Sequence, residues 1–284
     1  LVRRFEDDEK HNNRTSYKRM RQVFFEQCEV QEDKTTLKDK AGGRVMQNPS
    51  DPNATYDGKK GSGYQVQIVE TCSQDNDVQL VTGALAQTAA DTDAESFITI
   101  LGLLKEGDRL PVSILADTSY GSDSNAQAAA AEDVDLVSPV NTSKRNDEML
   151  HVEDFDINPE TMEVEACPAG HTPLDSVHNP ETGKTTTHMN PETCQSCPEK
   201  DRCPVKGTRT RTFHHTGAQY RRAQRYRAEQ SSQWREHYAK RAGVEGLIAR
   251  LKRCTGLGHL RVRGRPAISH AICLKLAGWN LMQA

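Results

Sequence analysis

Near the carboxyl end of the chain, four residues have types and spacings that suit phosphate chemistry. In the stretch YAKRAGVEGLIARLK, Tyr238, Glu245 and Lys252 follow one another at seven-residue intervals, and Arg241 precedes Glu245 by four. Written as one helix, that spacing puts all four on a single face. A carboxylate suits a hard cation such as Mg²⁺ or Mn²⁺, and the guanidinium and ammonium groups beside it suit phosphate oxygens. A surface ion pair between Arg241 and Glu245 is the simpler use of the same residues and contributes only about 0.2–0.5 kcal/mol. Gly243 and Gly246 weigh against it, since each costs roughly 1 kcal/mol relative to alanine inside a helix. Their use is close approach: they leave room beside Glu245 for a nucleic-acid backbone or a neighbouring strand.

A second carboxylate comes from VSILADTSYGS, where an apolar strand runs directly into Asp117. Open α/β sheets keep their ligands at the carboxyl ends of strands, although a turn or cap role for Asp117 is equally open. Two-metal phosphoryl transfer gathers several carboxylates around ions about 3.5–4 Å apart. Asp117 and Glu245 are candidates for two of these, and a third is needed.

The elements that must position these residues follow from periodicity. Residues 1–62 read as a helix over 1–30, with Val23, Phe24 and Phe25 on its apolar side, and then polar loop. Residues 63–140 alternate as GYQVQIVET and VQLVTGALAQT, two antiparallel strands. A helix capped by Asp91 or Asp93 follows, with Phe97, Ile100, Leu101 and Leu104 facing the core. PVSILAD is then a buried strand, SDSNAQAAAAED a helix and VDLVSPV a further strand. Residues 141–217 lose this regularity, and a stretch of that length inside a domain points to an insertion with its own organisation. In residues 218–284 a long helix from Ala218 toward Arg253, interrupted by glycines, precedes the loop CTGLGHLRVRGRPA and a final apolar helix, ISHAICLKLAGWNLM.

That insertion holds Cys167, Cys194, Cys197 and Cys203, with a C-x2-C pair at the centre. Four thiolates suit a closed tetrahedral Zn²⁺ site, with His171 or His188 able to replace one ligand; binding would organise a segment too polar for a core of its own. Disulfides and unliganded thiols are the alternatives. Cys28, Cys72, Cys254 and Cys273 read as ordinary core or surface residues. Nothing resembles a secretory signal and no apolar run approaches the roughly 18 residues that span a membrane, so a cytoplasmic protein is expected.

Charge is divided unevenly along the chain. Residues 201–265 carry 17 Lys/Arg against 4 Asp/Glu, a surplus of 13 in a chain of net charge −3, which leaves −16 for the remainder. A basic segment in an acidic chain suggests a polyanionic partner, because phosphate neutralisation dominates nucleic-acid affinity. RTRTFHHTGAQYRRAQRYR interleaves aromatics with arginines, so Tyr220 or Tyr226 are candidates for base stacking, and Arg261 and Arg263 extend the basic run. A solvated basic helix is the plainer reading.

The order of elements, with an Asp after a strand and a Glu on a distant helix, resembles the ribonuclease-H-like catalytic domain of DDE transposases of bacterial insertion sequences. Tyr238, Arg241, Glu245 and Lys252 fit the pattern Y-x2-R-x3-E-x6-K of one large group of them, and NPSDPNATYDGKKGSGYQVQIVETC, ADTSYGS and GLGHLRVRGRPA resemble stretches of a subgroup with a cysteine-rich insertion. The resemblance implies an α/β fold with a mixed sheet flanked by helices. It also implies Asp117 and Glu245 as catalytic acids holding Mg²⁺ or Mn²⁺, and cleavage and strand transfer on DNA by a nucleoid-associated homodimer. Tyr238, Arg241, Lys252, Arg261 and Arg263 would contact the DNA. In two respects the chain departs from the family. No apolar strand ending in Asp precedes Gly63, and Asp51 and Asp57 sit in loop text; a chain lacking its first strand and first acid is therefore expected, unable to cleave by itself. The text GLIARLK after Glu245 is also more apolar than in the family. A catalytically inactive, zinc-stabilised DNA-binding remnant is the alternative reading.

Overall fold

The computed structural model describes residues 1–284 apart from 32–33 and 40–41. It is a mixed α/β chain that gathers into two compact units, Leu1–Pro111 with Lys240–Ala284, and Val112–Ala239. Among the described residues no helix is long and apolar enough to cross a membrane.

The first unit opens with a 3-10 turn at Arg3–Phe5, then α1 (Glu9–Asn12) and α2 (Thr15–Gln27). The single helix expected over residues 1–30 is broken because Asp8 caps α1 and Arg14 adopts an extended conformation ahead of α2. Phe25 is 54% exposed, so the expected apolar side is not a buried one. β1 (Cys28–Gln31), which begins inside the stretch expected to be helix, and β2 (Lys34–Leu37), in the stretch expected to be loop, pair antiparallel, and β3 (Thr55–Asp57), also in the expected loop, joins the sheet that follows. The β1–β2 pair is almost entirely exposed, so no alternation of apolar residues announces it; opposed Val30–Thr35 and Glu29–Thr36 carry the pairing. Residues 32–33 and 40–41 of that stretch lie outside the described residues.

β4 (Gly61–Glu70) and β5 (Val81–Thr88) pair antiparallel as their alternation requires, with Val66 opposite Ala86 and Ile68 opposite Ala84. α3 (Asp93–Glu106) buries Phe97, Ile100, Leu101 and Leu104. Its cap is Thr92, which forms a capping box with Glu95. Asp91 instead accepts from the Thr88 amide and hydroxyl, each at 2.8 Å.

In the second unit β6 (Ser113–Leu115), α4 (Asp123–Ala130) and β7 (Asp135–Val137) form a strand-helix-strand with parallel strands, Ile114 opposite Leu136. The β6–β7 pair and the β3–β4–β5 sheet are separate sheets rather than one. The insertion has its own organisation: β8 (Asp156–Ile157) pairs with β9 (Val164–Ala166), and β10 (Asp175–Asn179), β11 (Lys184–Met189) and β12 (Arg211–Thr216) form an antiparallel sheet, with short α5 (Pro191–Gln195) after β11. It is less polar inside than its composition implied. Phe155, Ile157, Val164 and Phe213 form an apolar cluster, and the rings of Phe155 and Phe213 stack at 4.0 Å. Thr185 and Thr187 of β11 are fully buried, their hydroxyls satisfied by Met162 O and Ser176 Oγ at 2.9 Å.

The long helix expected from Ala218 to Arg253 is three helices. α6 (Gly217–Glu229) and α7 (Ser232–Ala239) are separated where the Ser231 hydroxyl accepts from the Trp234 amide, starting a new helix. A 3-10 turn at Lys240–Ala242 then leads, in the first unit, to α8 (Gly243–Thr255), which ends at Gly256 in the left-handed conformation. α9 (Arg265–Gln283) starts with Pro266 in its first turn. Leu247 and Leu251 of α8 are wholly buried against Ile268, Ile272, Leu276 and Trp279 of α9 and against Val81 and Ala86 of β5. Asn280 fixes α9 to the strand, accepting from Val81 N at 2.9 Å and donating to Val81 O at 2.8 Å.

Candidate active-site residues

Glu245 is the third residue of α8, where the unsatisfied amides and the helix dipole favour a carboxylate. Burial of Leu247 and Leu251 turns Glu245 and Lys252 to the exposed side of the helix. Among the described residues the Glu245 carboxylate has neither an ion pair nor a hydrogen bond, so the plain Arg241–Glu245 surface pair is not formed. Arg241 lies in the 3-10 turn and Tyr238 on α7, whose ring stacks on Trp234 at 4.9 Å; the one-face geometry expected for all four residues therefore holds within α8 for Glu245 and Lys252 alone. A side chain added at Gly243 or Gly246 would meet no described atom within 4 Å. Among the described residues no strand presses on these glycines, and the room they leave is open. Arg261 and Arg263, between α8 and α9, are exposed.

Neither Asp51 nor Asp57 is placed as a third acid. Asp51 is buried, accepting from the Tyr64 hydroxyl at 2.6 Å and the Gly264 amide at 3.2 Å, which ties the loop before α9 to the sheet. Burial, and then Asp51 itself, pushes the Tyr64 phenol up. Asp57, at the end of β3 rather than in a loop, accepts from the amides of Lys60 and Lys59 at 2.8 and 2.9 Å, and these hold its carboxyl low.

Asp117, in the second unit, follows β6 at its carboxyl end. Its Oδ1 accepts from Ser119 N at 2.8 Å and caps a 3-10 turn at Thr118–Tyr120, while its carbonyl accepts from Ser138 Oγ at 2.6 Å. The cap role is thus real, and it holds a half-buried carboxylate at a strand end. Asp117 and Glu245 belong to different compact units.

Cys167, Cys194, Cys197 and Cys203 line one cavity in the second unit, together with His171 and Arg211. The carbonyl of Cys167 accepts from Gly170 N at 2.8 Å and that of Cys197 from Lys200 N at 3.2 Å, so each cysteine opens a tight turn. The Cys167 sulfur accepts from His171 N at 3.4 Å. Burial pushes the thiols of Cys194 and Cys203 up. All eight cysteines are free, and no disulfide forms. His188 is paired with Asp175 at 2.6 Å and does not line the cavity. As the side chains stand, no group of three or more His, Cys, Asp or Glu among the described residues is arranged to hold a metal. The sequence thus located the convergence, and the ready-made tetrahedral site is not there.

Much of the basic stretch 209–227 is spent inside the second unit. Arg221 holds Asp123 through two bonds of 3.0 and 2.7 Å, Arg225 donates to Gly121 O at 2.6 Å and Arg222 to Asn141 O. Tyr220 packs on the Phe155 cluster, and Tyr226 lies under the Arg145 guanidinium at 4.1 Å. Both rings thus have partners within the unit. These internal roles had no signal in the sequence, because an arginine facing a carbonyl and one facing solvent read alike.

Acidic residues on an α/β frame and an exposed basic face are the equipment of proteins that act on phosphodiesters with divalent metal ions. The family is more particular: residues 166–284 match the transposase DDE domain, a stretch that contains the cysteine cavity, Tyr238, Arg241, Glu245, Lys252, Arg261 and Arg263. That match supports a DDE transposase, a family that acts on DNA and normally uses divalent metal ions. No curated protein and no solved structure matches the chain.

Proposed function

We propose that the chain is part of an insertion-sequence DDE transposase with a ribonuclease-H-like core, an enzyme that cuts DNA and joins the freed 3′ hydroxyl to a target, and that this chain supplies two of the three acids and, lacking the first, does not cleave by itself. The family match over residues 166–284, which includes a helix whose Glu245 is exposed and unpaired, carries this reading. Asp117 and Glu245 suit Mg²⁺ or Mn²⁺ by chemistry, since both offer hard carboxylate oxygens, one of them half-buried at a strand end and one free on a helix N-terminus. Divalent ions held by such carboxylates would supply charge stabilisation at the phosphate and activation of the attacking oxygen. The residues of the chain do the rest: Lys252, Arg241, Arg261 and Arg263 hold phosphate oxygens and Tyr238 lies beside them in sequence. A homodimer acting on paired element ends is part of the same reading. Calorimetry with Mn²⁺ tests the assignment. The Asp117→Ala, Glu245→Ala double variant is expected to bind at least about tenfold more weakly, as loss of two carboxylate ligands requires; equal affinity sinks it.

Zinc at the cysteine cavity is a second part of the proposal. The convergence of four thiols on one cavity, two of them from cysteines that open tight turns, favours it. Protein purified without chelator is expected to carry about one equivalent of zinc, the stoichiometry of a closed four-ligand site. Less than a tenth of an equivalent, in protein that is folded by circular dichroism, counts against it.

A further inference from the structure

The turn that presents Asp117 is held from outside by one helix. Four residues on α6, Arg221, Arg222, Arg225 and Glu229, reach the two segments that follow β6 and β7. Arg225 Nη2 donates to Gly121 O at 2.6 Å, and Arg221 grips Asp123 in a two-bonded pair. Arg222 donates to Asn141 O, and Glu229 accepts from Val140 N. On the opposite side Ser138 Oγ donates to Asp117 O at 2.6 Å. A β-carbon at Gly121 would lie 2.7 Å from Ser138 Oγ and 2.8 Å from Pro139 O. The Asp117–Asp123 turn is thus bonded both to the segment after β7 and to the arginines of α6, and at Gly121 it lies too close to Ser138 and Pro139 to admit a β-carbon.

Arg225 is the unusual member. Its Nε and Nη1 are buried and have no partner, Asp123 being taken by Arg221 and Glu229 by Val140. Burial lowers the affinity of its guanidinium for the proton. A buried, under-partnered cation is a cost, and helix stability alone gives no reason to keep it. Its one strong bond goes to a carbonyl four residues beyond Asp117. α6 is also anchored in the insertion, through Tyr220 on the Phe155 cluster and Tyr226 under Arg145.

We infer that Arg225 is a positioning residue for Asp117: from a helix anchored in the cysteine-rich insertion, it fixes the Gly121 carbonyl and with it the turn that aims the carboxylate. The insertion is then part of the support of the acidic site rather than an appendage. The role for Asp117 rests on the function proposed above, while the clamp itself does not.

Hydrogen exchange read by mass spectrometry, with Mn²⁺ affinity on the same proteins, separates the two. In Arg225→Gln, exchange over residues 117–125 is expected to quicken roughly tenfold, the effect of losing one charge-assisted hydrogen bond, with residues 155–166 unchanged. Arg225→Lys, which keeps the charge and one donor, is expected to recover most of the protection. If 117–125 keeps wild-type protection in Arg225→Gln, or if protection falls equally across residues 112–239, the positioning role is overturned. If the local loss is seen and Mn²⁺ affinity falls with it, both readings stand. If the local loss is seen while Asp117→Asn binds Mn²⁺ as wild type does, the clamp stands and the metal assignment of Asp117 fails.

Discussion

At the scale of single residues, burial decides which polar groups stay silent and which carry chemistry. His215 on β12 is 1% exposed, stacks on Phe213 at 5.7 Å and has no partner on either ring nitrogen. Burial pushes its pKa down, so the folded chain keeps it neutral where the unfolded chain takes up a proton, beginning near about pH 6.5. Its contribution is therefore complete above that pH and is lost as pH falls toward the lowered folded value. Urea midpoints measured from pH 7.5 to 5 are expected to fall on acidification, and His215→Leu is expected to flatten that fall; parallel curves for the two proteins would assign the acid sensitivity elsewhere. The same distinction sets what could be read from single residues beforehand. Glu245 stood out because glycines flank it, and its exposed, unpaired carboxylate agrees with a site. Asp51 looked available in loop text, yet it is buried between a phenol and an amide that lie 13 and 213 residues away. No local pattern encodes such partners.

At the scale of elements, strict periods were legible and exposed or interrupted ones were not. β4, β5, α3, β6, α4 and β7 were readable because apolar residues recur at two or at three-to-four positions and must face a core. The β1–β2 pair buries almost nothing and so left no such trace. The insertion read as coreless because its inward positions include threonines, whose hydroxyls find partners inside. The break of one expected helix into α6, α7 and α8 falls at a serine cap and a 3-10 turn, without the proline that would have marked it. Gly246 tests what α8 is for. Its surroundings are open, so Gly246→Ala is expected to stabilise the chain by about 0.5–1 kcal/mol through helix propensity alone. If the space serves a nucleic-acid backbone, the same variant binds duplex DNA more weakly despite its higher stability. Stronger or unchanged binding, measured by fluorescence anisotropy, would mean that the glycine serves no approaching phosphate.

At the scale of the whole molecule, the charge division read from composition needs correction by contact. Of the 17 basic residues between 201 and 265, several are committed internally, Arg221 to Asp123 and Arg222 and Arg225 to carbonyls, so the formal surplus overstates what a polyanion would meet. Lys252, Arg261 and Arg263 are exposed and none of them forms an ion pair among the described residues. Counterion release then gives a quantitative difference between the two sets. Each phosphate neutralised contributes about 0.9 to the slope of log affinity against log salt for duplex DNA. The triple variant Lys252→Ala, Arg261→Ala, Arg263→Ala is accordingly expected to reduce that slope by about 2 to 3. Arg221→Gln, which removes a charge already spent on Asp123, is expected to leave the slope unchanged while lowering the unfolding midpoint. Titrations of a fluorescent duplex from low to moderate salt measure both. An unchanged slope in the triple variant would move the DNA-binding face away from the α8–α9 loop. An equal loss in Arg221→Gln would mean that the internal arginines reach DNA after all, and that the carboxylate and carbonyls they hold in the free protein are released on binding.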